Sequence, residues 1–162
     1  MRLIALLGFG LLGLAAACSP QAGAGAQAAG SASTAAHPVS GLTMIGLTVT
    51  SPGKVHRFRV ERAKTGDEQA KGLMFRTALG ADEGMIFPMD PPRPASFWMR
   101  NTVIPLDLIF IGPDRRIVNI AANAVPYDES QLLSAGPVSA VLELAGGRAA
   151  ALGIAPGDQV QW

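Results

Sequence analysis

Two carboxylates, Asp107 and Glu143, stand alone in apolar stretches of the chain, in the sequences IPLDLIF and AVLELAG. A buried carboxylate needs a partner, because burial penalises its charged form. If the two strands are neighbours, the acids could share one site, with the pKa of one of them raised. General acid–base catalysis and glycoside cleavage use that arrangement. Asp107 and Glu143 are therefore candidate catalytic residues of a hydrolase or lyase.

The alternative is that each carboxylate is neutralised by an arginine, with Arg76 in GLMFR and Arg100 in FWMRNT as the obvious partners. We favour this alternative, because carboxylates alone specify no reaction and buried ion pairs are common. The sequence also lacks a Gly-x-Ser-x-Gly elbow, a phosphate-binding glycine loop ahead of a lysine and a dinucleotide fingerprint after a strand. The residues thus favour a protein that is not an enzyme.

A third group of residues, around Trp98, is suited to ligand recognition. An aromatic ring, a guanidinium, an amide and a hydroxyl follow one another just before a predicted strand, in Trp98, Arg100, Asn101 and Thr102. Strand alternation places Trp98 and Arg100 on one side, with Phe97 and Met99 on the other. An indole platform beside an arginine fork would suit a small anionic or sugar-like ligand. We therefore predict a binding site formed by Arg76, Trp98, Arg100, Asn101 and Thr102.

The alternative for this segment is structural. Trp98 could fill the core or its rim, while Asn101 and Thr102 satisfy the backbone of a turn.

Four methionines suggest a further alternative, Cu(I) binding, because thioethers are soft ligands that select this ion. They are Met74, Met85, Met89 and Met99. Methionine more often fills gaps in a core, and no histidine lies near these residues in the sequence. Zinc and iron are disfavoured by the same shortage of histidines. We therefore predict no metal and no cofactor, with copper as the weaker alternative.

Short strands with turn signals between them must position these side chains. Residues 43–50 and 55–63 alternate around the turn sequence SPGK and predict a hairpin, while Thr65 and Glu68 form a capping box before a short helix. Further strands are predicted at 84–87, 96–99, 106–111, 116–121, 138–144 and 159–162, and a brief helix at 148–152. The polar stretch 123–136 is expected to be a binding loop. The predicted fold is mainly β, a small single-domain β-sandwich or partly open barrel with one or two short helices.

The beginning of the chain resembles the export signal of a bacterial lipoprotein. An apolar run follows Arg2 and is too short for the roughly 20 residues of a spanning helix, so residues 1–17 are predicted to be a signal peptide. Ala15–Ala17 before Cys18 resemble a lipobox, which predicts acyl chains such as palmitate on Cys18. Ser19 after the cysteine resembles outer-membrane sorting, so we expect an anchored protein that faces the periplasm.

Residues 18–41 are predicted to be a flexible tether, because they are rich in Ala, Gly and Ser, lack charge and cannot bury enough apolar surface to fold. The globular domain is then expected over residues 42–162. Of 13 Lys and Arg residues, Arg2 would leave with the signal, so 12 would remain against 12 Asp and Glu. A balanced chain without a basic stripe argues against nucleic acid as a partner. The expected partners are the membrane, through Cys18, and a small molecule, glycan or protein.

Five strings of the sequence resemble a known prokaryotic family. They are GLMFR (72–76), GMIF (84–87), FWMRNTVIPLDLIFI (97–111), VLELAGG (141–147) and GIAPGDQV (153–160). In this order they resemble domain of unknown function 192 (DUF192), over about residues 60–162. The resemblance implies a compact, mainly β domain that is often exported or lipoprotein-anchored. It implies no activity, substrate or cofactor.

Overall fold

The computed structural model describes residues 35–162, which form nine β-strands and two short helices. The strands are β1 (Met44–Ser51), β2 (Lys54–Arg62), β3 (Glu83–Arg93), β4 (Ser96–Phe97), β5 (Leu106–Ile111), β6 (Ile117–Ala124), β7 (Leu132–Leu133), β8 (Val138–Ala145) and β9 (Gln159–Gln161). The helices are α1 (Gly66–Lys71) and α2 (Arg148–Leu152). The predicted mainly β fold with two short helices is confirmed. The predicted signal peptide, Cys18 and most of the predicted tether lie outside the described residues.

Seven of the strands form one mixed sheet in the order β6-β5-β8-β3-β2-β1-β9. Strands β2 and β3 are parallel, whereas the other neighbouring pairs are antiparallel. The sheet is not closed into a barrel, but an isolated bridge between Arg116 and Gln159 joins its two ends at one point. Strands β4 and β7 form a separate two-stranded sheet.

The large sheet carries one apolar core on each face. The first core contains Ile109 and Ile111 of β5, together with Leu142 and Leu144 of β8. The second core contains the alternate residues of the same strands, such as Leu108 and Val141. Every residue of β5 is buried for this reason, because a strand covered on both faces has no polar side. The apolar character of LDLIFI therefore reflects two cores.

Several local predictions are confirmed and others need correction. The β1–β2 hairpin forms, and Thr65 and Glu68 make the capping box of α1. The stretch 123–136 is less irregular than expected, since it contains the end of β6 and all of β7. Residues 35–41, assigned to the tether, contact the domain: Ala36 bridges Thr43. Within residues 35–162, no helix combines the length and the apolar character required to cross a membrane.

Candidate functional site

A cavity of about 380 Å³ opens between α1, the start of β4 and the face of the sheet that carries the second core. Apolar side chains form much of its wall, namely Leu73, Met74, Phe87, Met89 and Phe97. The polar and charged side chains around it include Lys71, Arg93, Trp98, Arg100, Thr102 and Glu143. This volume lies within the usual range for small-molecule sites. We call it the Glu143 cavity.

Glu143 forms part of the cavity wall from the middle of β8. The residue is only 5% exposed, and its strand neighbours on the same face are Met85 of β3 and Leu108 of β5. No hydrogen bond or ion pair joins its carboxyl group to another residue in 35–162. Burial without a compensating partner raises the pKa of Glu143 to about 8. At neutral pH the cavity therefore presents a protonated carboxylic acid, which can both donate and accept a hydrogen bond.

Trp98 and Arg100 lie together at the mouth of the cavity. Both follow β4, which ends at Phe97, so the strand predicted over residues 96–99 is shorter than expected and strand alternation does not place them. The Arg100 guanidinium stacks 4.1 Å from the centre of the Trp98 ring, and it donates a hydrogen bond of 2.6 Å to Glu129. Phe97 also belongs to the cavity wall, where its ring meets Phe87 edge-on at 5.2 Å. The indole platform beside an arginine is therefore present, and Trp98 occupies the rim instead of the core.

Two further cations, which were not predicted from the sequence, border the cavity. Lys71 is the last residue of α1, and Arg93 ends β3. Neither makes an ion pair with a carboxylate of the described residues. The two positions are 22 residues apart in the sequence, and no spacing pattern relates them. They border one cavity because α1 is held beside β3, where the Gln69 side-chain amide donates to the Pro88 carbonyl at 2.9 Å.

The family model of DUF192, described as an uncharacterized ACR family, matches residues 47–162 of this chain. That match covers more than half of the sequence and includes the whole wall of the Glu143 cavity. The chain belongs to the DUF192 family. The match also begins earlier than the resemblance at about residue 60, since it includes most of the β1–β2 hairpin.

Two solved structures are similar to this DUF192 chain. A protein of unknown function from Novosphingobium aromaticivorans is 64% identical, with a TM-score of 0.79, over 82% of this chain and 94% of that one. A candidate transcription regulator from Sinorhizobium meliloti is 38% identical, with a TM-score of 0.72, over 74% of this chain and 94% of that one. No curated protein matches the chain.

The other candidate acid of this DUF192 domain, Asp107, faces the opposite side of the sheet from Glu143. In the β5–β8 register Asp107 stands opposite Leu144, whereas Glu143 stands opposite Leu108. Residues directly opposite each other share a face, so the two acids lie on different faces. The hypothesis that they share one site is wrong, and a mechanism that uses both acids has no geometric basis.

Backbone amides satisfy Asp107 instead. Its carboxylate accepts hydrogen bonds from the N–H groups of Asn123 (2.8 Å), Gly147 (2.9 Å) and Ala149 (2.8 Å). These bonds connect β5 to the end of β6 and to the first turn of α2. Asp107 is therefore a structural residue in this arrangement, and its predicted neutralisation by an arginine is wrong.

Arg76 does not reach Glu143 or the cavity. Its guanidinium binds both carboxylate oxygens of Glu61 at 2.7 Å, and Glu61 also accepts a hydrogen bond from the Ser40 hydroxyl. Glu61 is only 1% exposed, because Arg76 and the segment around Ser40 cover it. Sequence patterns do not predict this cover, since residues 35–41 resemble a tether.

Asn101 fits the structural interpretation of its segment, whereas Thr102 fits the ligand-binding interpretation. Asn101 has a positive φ of 55° and accepts a hydrogen bond on its carbonyl from the Phe75 amide, so it forms a turn and does not line the cavity. Thr102 is buried and borders the cavity. The 123–136 segment supports this turn from outside, because the Tyr127 amide donates to the Thr102 carbonyl.

The four methionines occupy apolar surroundings. Met85, Met89 and Met99 belong to the second core, and Met74 borders the cavity. In residues 35–162, no group of three or more His, Cys, Asp or Glu side chains is arranged to hold a metal ion. The four methionines therefore occupy positions typical of side chains that fill gaps in an apolar core.

Proposed function

We propose that this protein is a non-catalytic binding module, held on the bacterial envelope by a lipid on Cys18, that takes a small ligand into the Glu143 cavity. The observation that carries the proposal is the carboxyl group of Glu143, which is buried at the cavity wall and has no partner among residues 35–162. The carboxyl oxygens are not fully enclosed and are therefore accessible from the cavity. A ligand that bonds to Glu143 would complete the site.

A binding role is favoured over a hydrolase or lyase because a single acid borders the cavity. The described residues around it offer no histidine and no second carboxylate, so no pair of groups can divide the roles of acid and base. Nor do we propose nucleic acid as the ligand, although one relative is described as a candidate regulator of transcription. The balanced charge expected for the exported chain argues against it.

A fragment screen with cavity-blocking variants tests ligand binding. Ala70 is exposed on α1 and borders the cavity, whereas Ala150 is exposed on α2 and does not. We expect fragments detected by ligand-observed NMR to bind the full chain in lipid nanodiscs, to lose binding in Ala70→Trp and to keep it in Ala150→Trp. A screen without hits, or hits that survive Ala70→Trp, would reject the cavity as the binding site.

Membrane attachment is tested separately by labelling cells with an alkyne fatty acid. The wild-type chain should incorporate the label and fractionate with the outer membrane, whereas Cys18→Ser should do neither. Ser19→Asp is the matched control, because it retains the cysteine: it should stay labelled but shift to the inner membrane. Labelling of Cys18→Ser would show that the cysteine is not the acylated residue.

A further inference from the structure

Positively charged side chains outnumber acidic ones around the Glu143 cavity. Three cations, Lys71, Arg93 and Arg100, border it, against one carboxyl group. Only Arg100 has an acidic partner among the described residues, the exposed Glu129. Glu143 holds its proton at neutral pH and contributes no charge there. The cavity therefore has a positive potential, and a concave positive site concentrates anions.

The walls of the cavity are suited to a flat apolar body. Phe87 and Phe97 meet edge-to-face, and Trp98 is a half-exposed residue at the rim. Aromatic rings bind other rings by stacking and by edge contacts. A volume of about 380 Å³ has room for a compound with one ring and a small polar group.

We propose that the ligand of the Glu143 cavity is a small organic anion with a flat apolar body, whose negative group binds near Lys71 and Arg93. This inference rests on the proposed function. The body of the ligand packs against the aromatic walls, and Glu143 donates the hydrogen bond of its protonated carboxyl group to an oxygen of the ligand. A cationic amine would be repelled by three cations before it reached Glu143.

Three fluorinated probes of matched shape test the sign of the charge. They are 4-fluorobenzoate, the neutral 4-fluorobenzamide and the cationic 4-fluorobenzylamine, followed by fluorine NMR with the full chain in nanodiscs and with empty nanodiscs as blank. We expect the benzoate to bind at least about fivefold more tightly than the amide, as one partly screened charge interaction allows. The amine should bind weakest, and added salt should reduce this preference.

Charge-removing variants identify the residues that bind the negative group of the ligand. Lys71→Gln with Arg93→Gln should abolish the preference for the benzoate over the amide. Lys54→Gln with Arg57→Gln, two exposed cations of β2 away from the cavity, should change neither. A preference that survives the first pair of substitutions would overturn the assignment of the anion to these two residues.

Glu143 is tested by the pH dependence of binding. The elements packed around it present uncharged Met85 and Leu108 from β3 and β5, together with the three cations of the rim and Glu129 beside Arg100. Comparison of wild type with Glu143→Gln isolates the contribution of the Glu143 carboxyl group, because the rim cations are the same in both proteins. Benzoate affinity should fall steeply above pH 8, by up to about tenfold per pH unit, and Glu143→Gln should remove this decline. If wild type and Glu143→Gln show the same pH dependence of benzoate affinity, Glu143 does not bind the ligand as proposed.

The outcomes separate this inference from the proposed function. If the amide or the amine binds as tightly as the benzoate, the ligand is not an anion, although the cavity remains a binding site. If none of the three probes binds while Ala70→Trp still abolishes fragment hits, the proposed ligand class alone is rejected. If no fragment binds the cavity, the proposed function fails as well.

Discussion

Burial of Glu143 makes the stability of the domain depend on pH. The folded domain keeps this proton up to about pH 8, whereas the unfolded chain releases it near pH 4.5. The contribution of this group to the free energy of unfolding is therefore complete below pH 4.5. It decreases by about 1.4 kcal/mol per pH unit as the pH rises to 8, and then changes no further.

Glu143→Gln should remove this dependence, because glutamine mimics the protonated acid and does not ionise. Urea unfolding at pH 5, 6, 7 and 8 should show the free energy of unfolding of Glu143→Gln rising relative to wild type, by up to about 4 kcal/mol over this range. Ala78→Gln, at an exposed position, offers a control without an ionisable group, so its free energy of unfolding should differ from wild type by a constant amount. Parallel pH curves for Glu143→Gln and wild type would mean that Glu143 is ionised in the folded protein.

Asp107 supports stability through three backbone hydrogen bonds, and its removal should be costly. Asp107→Ala leaves the amides of Asn123, Gly147 and Ala149 without their acceptor, so we expect the free energy of unfolding to fall by about 4 kcal/mol. Asp107→Asn keeps one oxygen acceptor and should lose less. Asp67→Ala, at an exposed site in α1, should cost less than about 1 kcal/mol. A similarly small loss for Asp107→Ala in urea unfolding would contradict its structural role.

At the scale of elements, Gly84 allows β3 and β8 to pack closely. A Cβ atom added at Gly84 would clash with the Glu143 carbonyl oxygen and lie 2.9 Å from a Leu144 methyl group. Gly84→Ala should therefore lower the free energy of unfolding by about 2 kcal/mol or more. Gly46 in β1 has open space around it, so Gly46→Ala should be neutral or slightly stabilising in thermal unfolding. If both variants behave alike, close packing at Gly84 is not important for stability.

The existence of most elements could be predicted from the sequence, because hairpin turns, capping boxes and alternating strands are local signals. The pairing of the strands could not be predicted from the sequence. The parallel contact between β2 and β3 and the central position of β8 depend on contacts between distant residues. Strand β7 has two residues and pairs with β4, so it leaves no periodic pattern in the 123–136 stretch. A period of two needs longer segments to be visible.

The candidate site was predicted only in part for the same reason. Trp98, Arg100 and Thr102 lie close together in the sequence, and all three border the cavity. Whether Asp107 and Glu143 share a face depends on the register of β5 and β8, and a shift of one residue would have reversed the answer.

At the scale of the whole molecule, the Glu61–Arg76 ion pair holds the segment 35–43 against the domain. The two side chains are 2% and 14% exposed, and Ser40 adds a hydrogen bond from the segment. Glu61→Gln would leave the Arg76 charge without a partner, so we expect a loss of about 3 kcal/mol in the free energy of unfolding. Hydrogen exchange of the His37 and Met44 amides, which bond within this segment, should accelerate.

The exposed pair of Arg100 and Glu129 provides the control for this experiment. Both of its side chains are about half exposed, and such surface pairs contribute at most about 1 kcal/mol. Glu129→Gln should therefore change stability little and leave hydrogen exchange in residues 35–43 unchanged. If Glu61→Gln also leaves this exchange unchanged, the ion pair does not fasten the segment.

The meeting of the two ends of the sheet also protects the protein from self-association. Strand β9 has three residues, and the Arg116–Gln159 bridge occupies part of the backbone of both outer strands. Asn119 of β6 binds the Leu133 carbonyl and the Ala135 amide, so the 133–135 segment covers more of that border. Unpaired strand borders are templates on which other chains polymerise. Because these contacts cover part of both borders, we expect copies of the domain to be less prone to join their sheets into fibres than copies of a sheet with fully open borders.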